Sequence, residues 1–100
     1  MDLKSQRVLV TGGSRGIGAA IARAFARQGA AVAVNYRENR EAAEATVRSC
    51  RQFGGDALPV QADVTDEQEV RRMSEHIFTE WGALDVVINN AFRPYPFDPE

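Results

Sequence analysis

A glycine-rich octapeptide, Thr11–Gly18, is the feature that most constrains the fold of this chain. It follows a short apolar segment, Arg7–Val10, and leads into a segment with helical periodicity that ends near Gln28. Glycines in such a turn let the backbone bend tightly and approach a ligand closely, because they have no Cβ. The unpaired N–H groups and the positive dipole end of the following helix favour an anion. The octapeptide therefore predicts a phosphate-binding loop between a strand and a helix.

Apolar segments alternate with amphipathic segments along the rest of the chain. The apolar segments predict four strands, at Arg7–Thr11, Ala31–Tyr36, Ala57–Ala62 and Asp85–Asn89. The amphipathic segments predict three helices, at Gly16–Gln28, Arg40–Phe53 and Asp66–Trp81. This alternation is typical of an α/β fold of the Rossmann type, a doubly wound parallel sheet, and right-handed crossovers give the strand order 3-2-1-4.

Hydrophobic spacing predicts which helical residues face the sheet and where one helix starts. Ile17, Ile21 and Phe25 recur every four residues, so we expect them to form the inner face of the first helix. At the start of the third helix, Thr65 and Gln68 match a capping box, in which Thr65 is the N-cap.

Composition excludes several classes of function. The chain has 100 residues, 44% hydrophobic and 26% charged, as is typical of a globular domain. A net charge of −2 indicates neither a nucleic-acid partner nor an anionic membrane. One cysteine permits no internal disulfide, and the sequence predicts neither a signal peptide nor a membrane span. We therefore expect a cytoplasmic protein, and we assign no metal site.

The end of the second predicted strand has an arginine where many nucleotide-binding folds have an acid. An Asp or Glu at that place accepts the ribose 2′-hydroxyl of NAD. Here Arg37 occupies it, and Arg15 lies in the glycine loop nearby. Two guanidinium groups can grip a 2′-phosphate with charge-assisted hydrogen bonds, so the pair favours NADP(H). The alternative is that both arginines are solvated surface residues.

The glycine spacing resembles that of the short-chain dehydrogenase/reductase family. The family has T-G-x-x-x-G-x-G at this place, and Thr11, Gly12, Gly16 and Gly18 match it. The resemblance extends over residues 7–91 and is greatest to the 3-oxoacyl-(acyl-carrier-protein) reductases. It implies the cofactor-binding part of an NADP(H)-dependent oxidoreductase, which reduces a carbonyl of the 3-oxoacyl type to an alcohol by hydride transfer.

Two further motifs carry the resemblance. Asp63-Val64 stands where the family has residues that lie against the adenine ring. Asn89–Ala91 resembles the start of the family's N-N-A-G motif, which steadies the central strands and touches the cofactor ribose, although Phe92 replaces the glycine. The resulting set of expected cofactor-binding residues is Gly12, Ser14, Arg15, Gly16, Ile17, Gly18, Arg37, Asp63, Val64, Asn90 and Ala91.

The family's catalytic groups are a serine and a Tyr-x-x-x-Lys pair. Neither Tyr36 nor Tyr95 has a lysine four positions later, and the one lysine is Lys4. We therefore assign no catalytic residue in this chain. The resemblance implies that residues 1–100 are the N-terminal dinucleotide-binding part of a single Rossmann domain, truncated after the fourth strand. The resemblance implies a small-molecule or acyl-carrier-linked carbonyl as substrate and a homo-oligomeric full protein. The alternatives are a catalytically inert nucleotide-binding module and a nucleotide-fold enzyme with other chemistry, such as an epimerase or a methyltransferase.

Overall fold

The computed structural model describes residues 4–14 and 16–90. The strands are β1 (Arg7–Val10), β2 (Ala31–Tyr36), β3 (Ala57–Gln61) and β4 (Val86–Ile88). The helices are α1 (Gly16–Arg27), α2 (Arg40–Arg51) and α3 (Glu67–Trp81). Every predicted element is present, and each boundary lies within two residues of the predicted one. None of these described helices is both long and apolar enough to cross a lipid bilayer.

The four strands form one parallel sheet in the order β3-β2-β1-β4. The predicted order 3-2-1-4 is therefore confirmed. In the middle of the sheet, Leu9 of β1 lies between Ala33 of β2 and Val87 of β4. Because β1 and β4 lie side by side where the winding reverses, the segments that follow these two strands open into the same crevice.

Two helices cover one face of the sheet and the third covers the other. Alternate strand residues such as Val8 and Val34 join a cluster with α1 and α2, which contribute Ala22 and Val47. The intervening strand residues join a second cluster with α3, formed by Leu9, Ala33, Leu58, Val60, Ala62, Met73 and Ile77. Burial on both faces explains why the inner strands are nearly continuous runs of apolar residues.

The inner face of α1 differs from the predicted one. Gly18, Ala19, Ala22 and Ala26 are buried, whereas Ile17 is 74% exposed. The other two predicted residues, Ile21 and Phe25, pack only partly against the core. Small side chains let α1 lie close to the sheet and to the glycine loop, so the stripe of small residues faces inward and the larger residues lie at its edge.

The start of α3 also differs from the prediction. Asp66, not Thr65, is the N-cap, because its carboxylate accepts hydrogen bonds from the backbone N–H groups of Gln68 and Glu69, at 2.9 and 3.3 Å. Thr65 instead donates its hydroxyl to Asp63 Oδ1, at 2.6 Å. The capping-box spacing was therefore one residue out of register with the true cap.

Candidate functional site

The glycine loop crosses the carboxyl ends of the central strands and leads into the exposed first turn of α1. Gly16 has φ +62°, a left-handed conformation that favours glycine because other residues place a Cβ in a strained position there. Gly16 and Ile17 are both exposed. The N–H groups in the first turn of a helix have no carbonyl partner within the helix. The start of α1 therefore presents free donors and a positive dipole end to solvent.

Gly18 allows the helix to touch the loop directly. A Cβ placed on Gly18 would collide with the carbonyl oxygen of Gly12 and would lie 2.8 Å from Nδ2 of Asn90. Asn90 itself donates from Nδ2 to the Gly12 carbonyl oxygen, at 3.2 Å. The helix, the loop and Asn90, two residues beyond β4, are therefore in contact at Gly18, where any Cβ would prevent this close approach.

Hydrogen bonds from Thr11 join the ends of β1 and β4. Its backbone N–H donates to the Ile88 carbonyl at 3.0 Å, and its hydroxyl lies 3.3 Å from both that carbonyl and Asn89 Oδ1. The same hydroxyl oxygen accepts from the backbone N–H of Asn90, at 2.8 Å. The glycine motif and the Asn-Asn motif, 78 positions apart, thus form one hydrogen-bonded unit.

A second group of predicted residues meets at the ends of β2 and β3. Arg37 Nε lies 3.6 Å from Asp63 Oδ2, and the two side chains are 54% and 26% exposed. Gln61 Nε2 donates to the backbone carbonyl of Arg37, at 3.2 Å. Glu69 accepts from the backbone N–H of Asp63, at 2.8 Å, and Val64 is half-buried beside it. The predicted ribose and adenine residues are therefore neighbours.

The remaining predicted residues divide into those that the structure describes and those that it does not. Ser14 is half-buried, and its carbonyl accepts from the Thr46 hydroxyl of α2, at 2.8 Å. Arg15 and Ala91 lie outside the described residues, as does Phe92. The assignments of Arg15 and Ala91 to the cofactor therefore stay predictions.

Sequence reasoning overlooked Asn35, which is 2% exposed within the otherwise apolar strand β2. Its Oδ1 accepts from the backbone N–H of Gly12, at 3.1 Å. Its Nδ2 donates to the carbonyls of Val60 and Ala62, at 3.2 Å each. Its own carbonyl accepts from the backbone N–H of Gly13, at 2.9 Å. The one signal in the sequence was a polar residue inside an apolar strand, which is costly unless it is hydrogen-bonded.

These bonds divide the loop donors into two groups. The N–H groups of Gly12 and Gly13 are used within the protein, by Asn35. The N–H groups in the first turn of α1 have no carbonyl partner within the helix, and Gly16 and Ile17 are exposed residues. The site therefore has an anchored half, which sets the loop's path, and an open half, which can bind an anion.

Two other features of the described residues lie away from this site. Burial raises the pKa of the Cys50 thiol, which lies in the core between α2 and the sheet, although nearby Arg23 lowers it in part. A cavity of about 280 Å³ runs along the outer edge of β3, where Arg72 and the exposed His76 lie opposite Gln61. Neither feature includes a residue of the glycine loop.

The sequence profile of the family described as short chain dehydrogenase matches residues 6–95, so this chain belongs to that family of oxidoreductases. It is 45% identical over 87 residues to the 3-oxoacyl-[acyl-carrier-protein] reductase FabG of Staphylococcus aureus, covering 87% of this chain and 35% of that protein. It is 43% identical over 90 residues to 3beta-hydroxysteroid dehydrogenase 1 of Eggerthella lenta, covering 90% of this chain and 34% of that protein.

A solved structure also matches the fold throughout. A short chain dehydrogenase from Burkholderia cenocepacia, crystallised in complex with NADP, superposes with a TM-score of 0.88 and 42% identity. That match covers 100% of this chain and 42% of the Burkholderia chain. The four-stranded parallel sheet is the Rossmann-type sheet of the family. The chain spans about a third of the length of the two curated relatives above.

Proposed function

We propose that residues 1–100 are the N-terminal cofactor-binding part of a single Rossmann domain, in an NADP(H)-dependent oxidoreductase that interconverts a carbonyl and an alcohol. One observation carries this proposal. The open N-terminus of α1 and the Arg37–Asp63 pair lie at the same end of the sheet, after β1, β2 and β3. An anion-binding helix end beside a cationic strand end is what a phosphorylated dinucleotide requires.

Each part of the cofactor has residues here whose chemistry suits it. The N–H groups in the exposed first turn of α1, at Gly16 and Ile17, suit the pyrophosphate, and Gly18 lets the helix lie close to the loop. Asp63 and Val64 suit the adenine ring as a polar and an apolar neighbour. The half-buried Asn90, with the neighbouring Ala91, suits the second ribose. When bound, the nicotinamide supplies or accepts the hydride; this chain's residues hold and orient it.

The choice of NADP(H) over NAD(H) rests on Arg37. Its side chain is more than half exposed and so is accessible to a ligand, and its Nε lies 3.6 Å from the Asp63 carboxylate at the strand end. The end of β2 has no acid to accept a ribose 2′-hydroxyl until Glu38, one residue further on. The likeness to a Burkholderia relative crystallised with NADP supports the same choice. Arg15, in the glycine loop, is the second proposed phosphate ligand.

For the substrate we propose a carbonyl of the 3-oxoacyl type, carried on an acyl-carrier protein or as a small thioester. The support is the 45% identity to a 3-oxoacyl-[acyl-carrier-protein] reductase. A steroid dehydrogenase matches almost as well over the same segment, at 43%, so this segment accommodates relatives with different substrates. We further propose that the full protein acts in the cytoplasm as a homo-oligomer.

The test uses the full-length gene product. NADPH and NADH are titrated by fluorescence, and NADPH oxidation is followed with acetoacetyl thioesters and with a ketosteroid as the competing substrate class. We expect NADPH to bind at least about tenfold more tightly than NADH, and the thioester to be reduced. If neither nucleotide binds, the cofactor assignment is contradicted. Binding without turnover of any carbonyl would instead support an inert nucleotide-binding module.

A further inference from the structure

Asn35 is a fully buried amide that links three segments of the chain. It belongs to β2, but its hydrogen-bond partners lie in the glycine loop and at the end of β3. These partners are 23 to 27 positions away in sequence. Only Thr11, Asn35 and Thr46 are buried polar residues among residues 4–14 and 16–90.

The amide of Asn35 is used almost to its full capacity. A side-chain amide has two N–H donors and one acceptor oxygen. Here the oxygen accepts from Gly12, and the nitrogen donates to Val60 and Ala62. No buried side-chain polar atom among the described residues lacks a partner. Orientation of the amide is therefore fixed, because flipping it would set its oxygen against two carbonyls and its nitrogen against an N–H group.

On one side, Asn35 holds the glycine loop at two consecutive residues. The side chain binds the N–H of Gly12 and the backbone carbonyl binds the N–H of Gly13. These bonds set the path of the loop just before its open donors at Gly16 and Ile17. On the other side, the amide binds the carbonyl of Ala62, the residue immediately before Asp63.

We infer that Asn35 is a positioning residue, which fixes the glycine loop relative to the Asp63-Val64 segment and thereby sets the distance between the phosphate and adenosine ends of the cofactor site. This inference rests on the proposed function, since it concerns the affinity for that cofactor. Asn35 makes no contact with the proposed open donors, so it acts through the backbone of the loop. A rigid ligand that spans both ends binds best when their separation is set in advance.

Two substitutions of Asn35 test whether its hydrogen bonds connect the glycine loop to the Asp63-Val64 segment, and they differ in how strongly they disturb the fold. Asn35→Ala removes the amide and leaves the Gly12 N–H and the carbonyls of Val60 and Ala62 without it. Asn35→Thr replaces the amide with a hydroxyl on a β-branched residue that suits a strand, but its shorter side chain cannot reach both sides. Ile77→Val is the matched control: Ile77 belongs to α3, is fully buried in the cluster between that helix and the sheet, and has an apolar side chain that makes no hydrogen bond.

The readouts separate positioning from general stability. In the full-length protein we expect both Asn35 variants to weaken NADPH binding by about tenfold, with the KM of the carbonyl substrate unchanged. Ile77→Val should lower the melting temperature without changing the NADPH dissociation constant. In the nucleotide-free protein, hydrogen exchange of the peptide that contains Gly12 should accelerate in the Asn35 variants and not in the control.

Each outcome bears on the inference. Variants of Asn35 that fold and bind NADPH as tightly as Ile77→Val would overturn it. Should neither variant fold, the wild type still decides: the inference requires a Gly12 amide that is protected from exchange without nucleotide, and a fast-exchanging Gly12 amide would overturn it. Wild-type protein that binds no nucleotide yet protects Gly12 would refute the proposed function and leave the structural link intact.

Discussion

Replacing Arg37 with alanine tests the choice of cofactor most directly. A hydrogen bond to a charged group contributes about 1.5–3 kcal/mol net. The lower end applies here, because the Arg37 side chain is 54% exposed and its guanidinium is already 3.6 Å from the Asp63 carboxylate. About 1.5 kcal/mol corresponds to roughly a tenfold loss of NADPH affinity. Loss of the Arg37 charge also leaves more of the Asp63 negative charge uncompensated near the 2′-phosphate, which acts in the same direction.

The assay is a fluorescence titration of the full-length protein with NADPH and with NADH at one ionic strength, because surface charge effects depend on salt. We expect Arg37→Ala to weaken NADPH alone and Arg37→Asp to weaken it further, with a gain for NADH through the new acceptor. Arg48→Ala is the matched control, since Arg48 is an exposed arginine in the last turn of α2. Equal weakening of both nucleotides by Arg37→Ala would refute the reasoning.

Three further predictions concern the loop, a helix cap and the core. Gly18→Ala should abolish nucleotide binding and lower the melting temperature sharply, because the new Cβ collides with the Gly12 carbonyl. Gly16 has open space around it but a positive φ, so Gly16→Ala should lower the free energy of unfolding by only about 1 kcal/mol. Equal effects of the two variants in thermal melts would contradict this. Asp66→Ala should cost about 1 kcal/mol in urea unfolding, and an unchanged midpoint would exclude a capping role. Because burial raises the pKa of the Cys50 thiol, the protonated thiol adds to the free energy of unfolding below the unfolded thiol pKa of about 8.5, and this contribution is lost as pH rises through the folded pKa. Cys50→Ala should therefore remove this part of the decline in stability at alkaline pH. An unchanged decline would contradict the raised pKa.

The order and bounds of the elements could be predicted because their signals are local. Buried parallel strands are apolar throughout, and helices end where glycine follows, as at Gly29 and Gly82. Strand order then follows from the handedness of the crossovers. The meeting of the glycine loop with Asn90 also followed from topology alone, since it depends only on β1 and β4 being neighbours.

The inner face of α1 could not be predicted from hydrophobic spacing. Spacing favours the largest apolar residues, and Ile17 and Phe25 match a helical period. The contact between helix and loop decides the matter instead, because Gly18 lies against the Gly12 carbonyl and Ala22 is buried in the core on the same side of the helix. The small residues of α1 also recur at helical spacing and mark the buried face, but this can be recognised only once the close approach of Gly18 to the loop is known.

Which N–H groups of the glycine loop bond within the protein, and which stay available to a ligand, depends on contacts that no local motif contains. The spacing of Gly12, Gly16 and Gly18 indicates an anion site but does not say which N–H groups remain free. That depends on Asn35, which is 23 positions further along the chain and uses the first donors of the loop to hold it in place. Because those donors are already satisfied, we expect the phosphates of the proposed cofactor to bind at the start of α1. On this hypothesis the glycine motif acts as a binding site only together with the buried amide that anchors it.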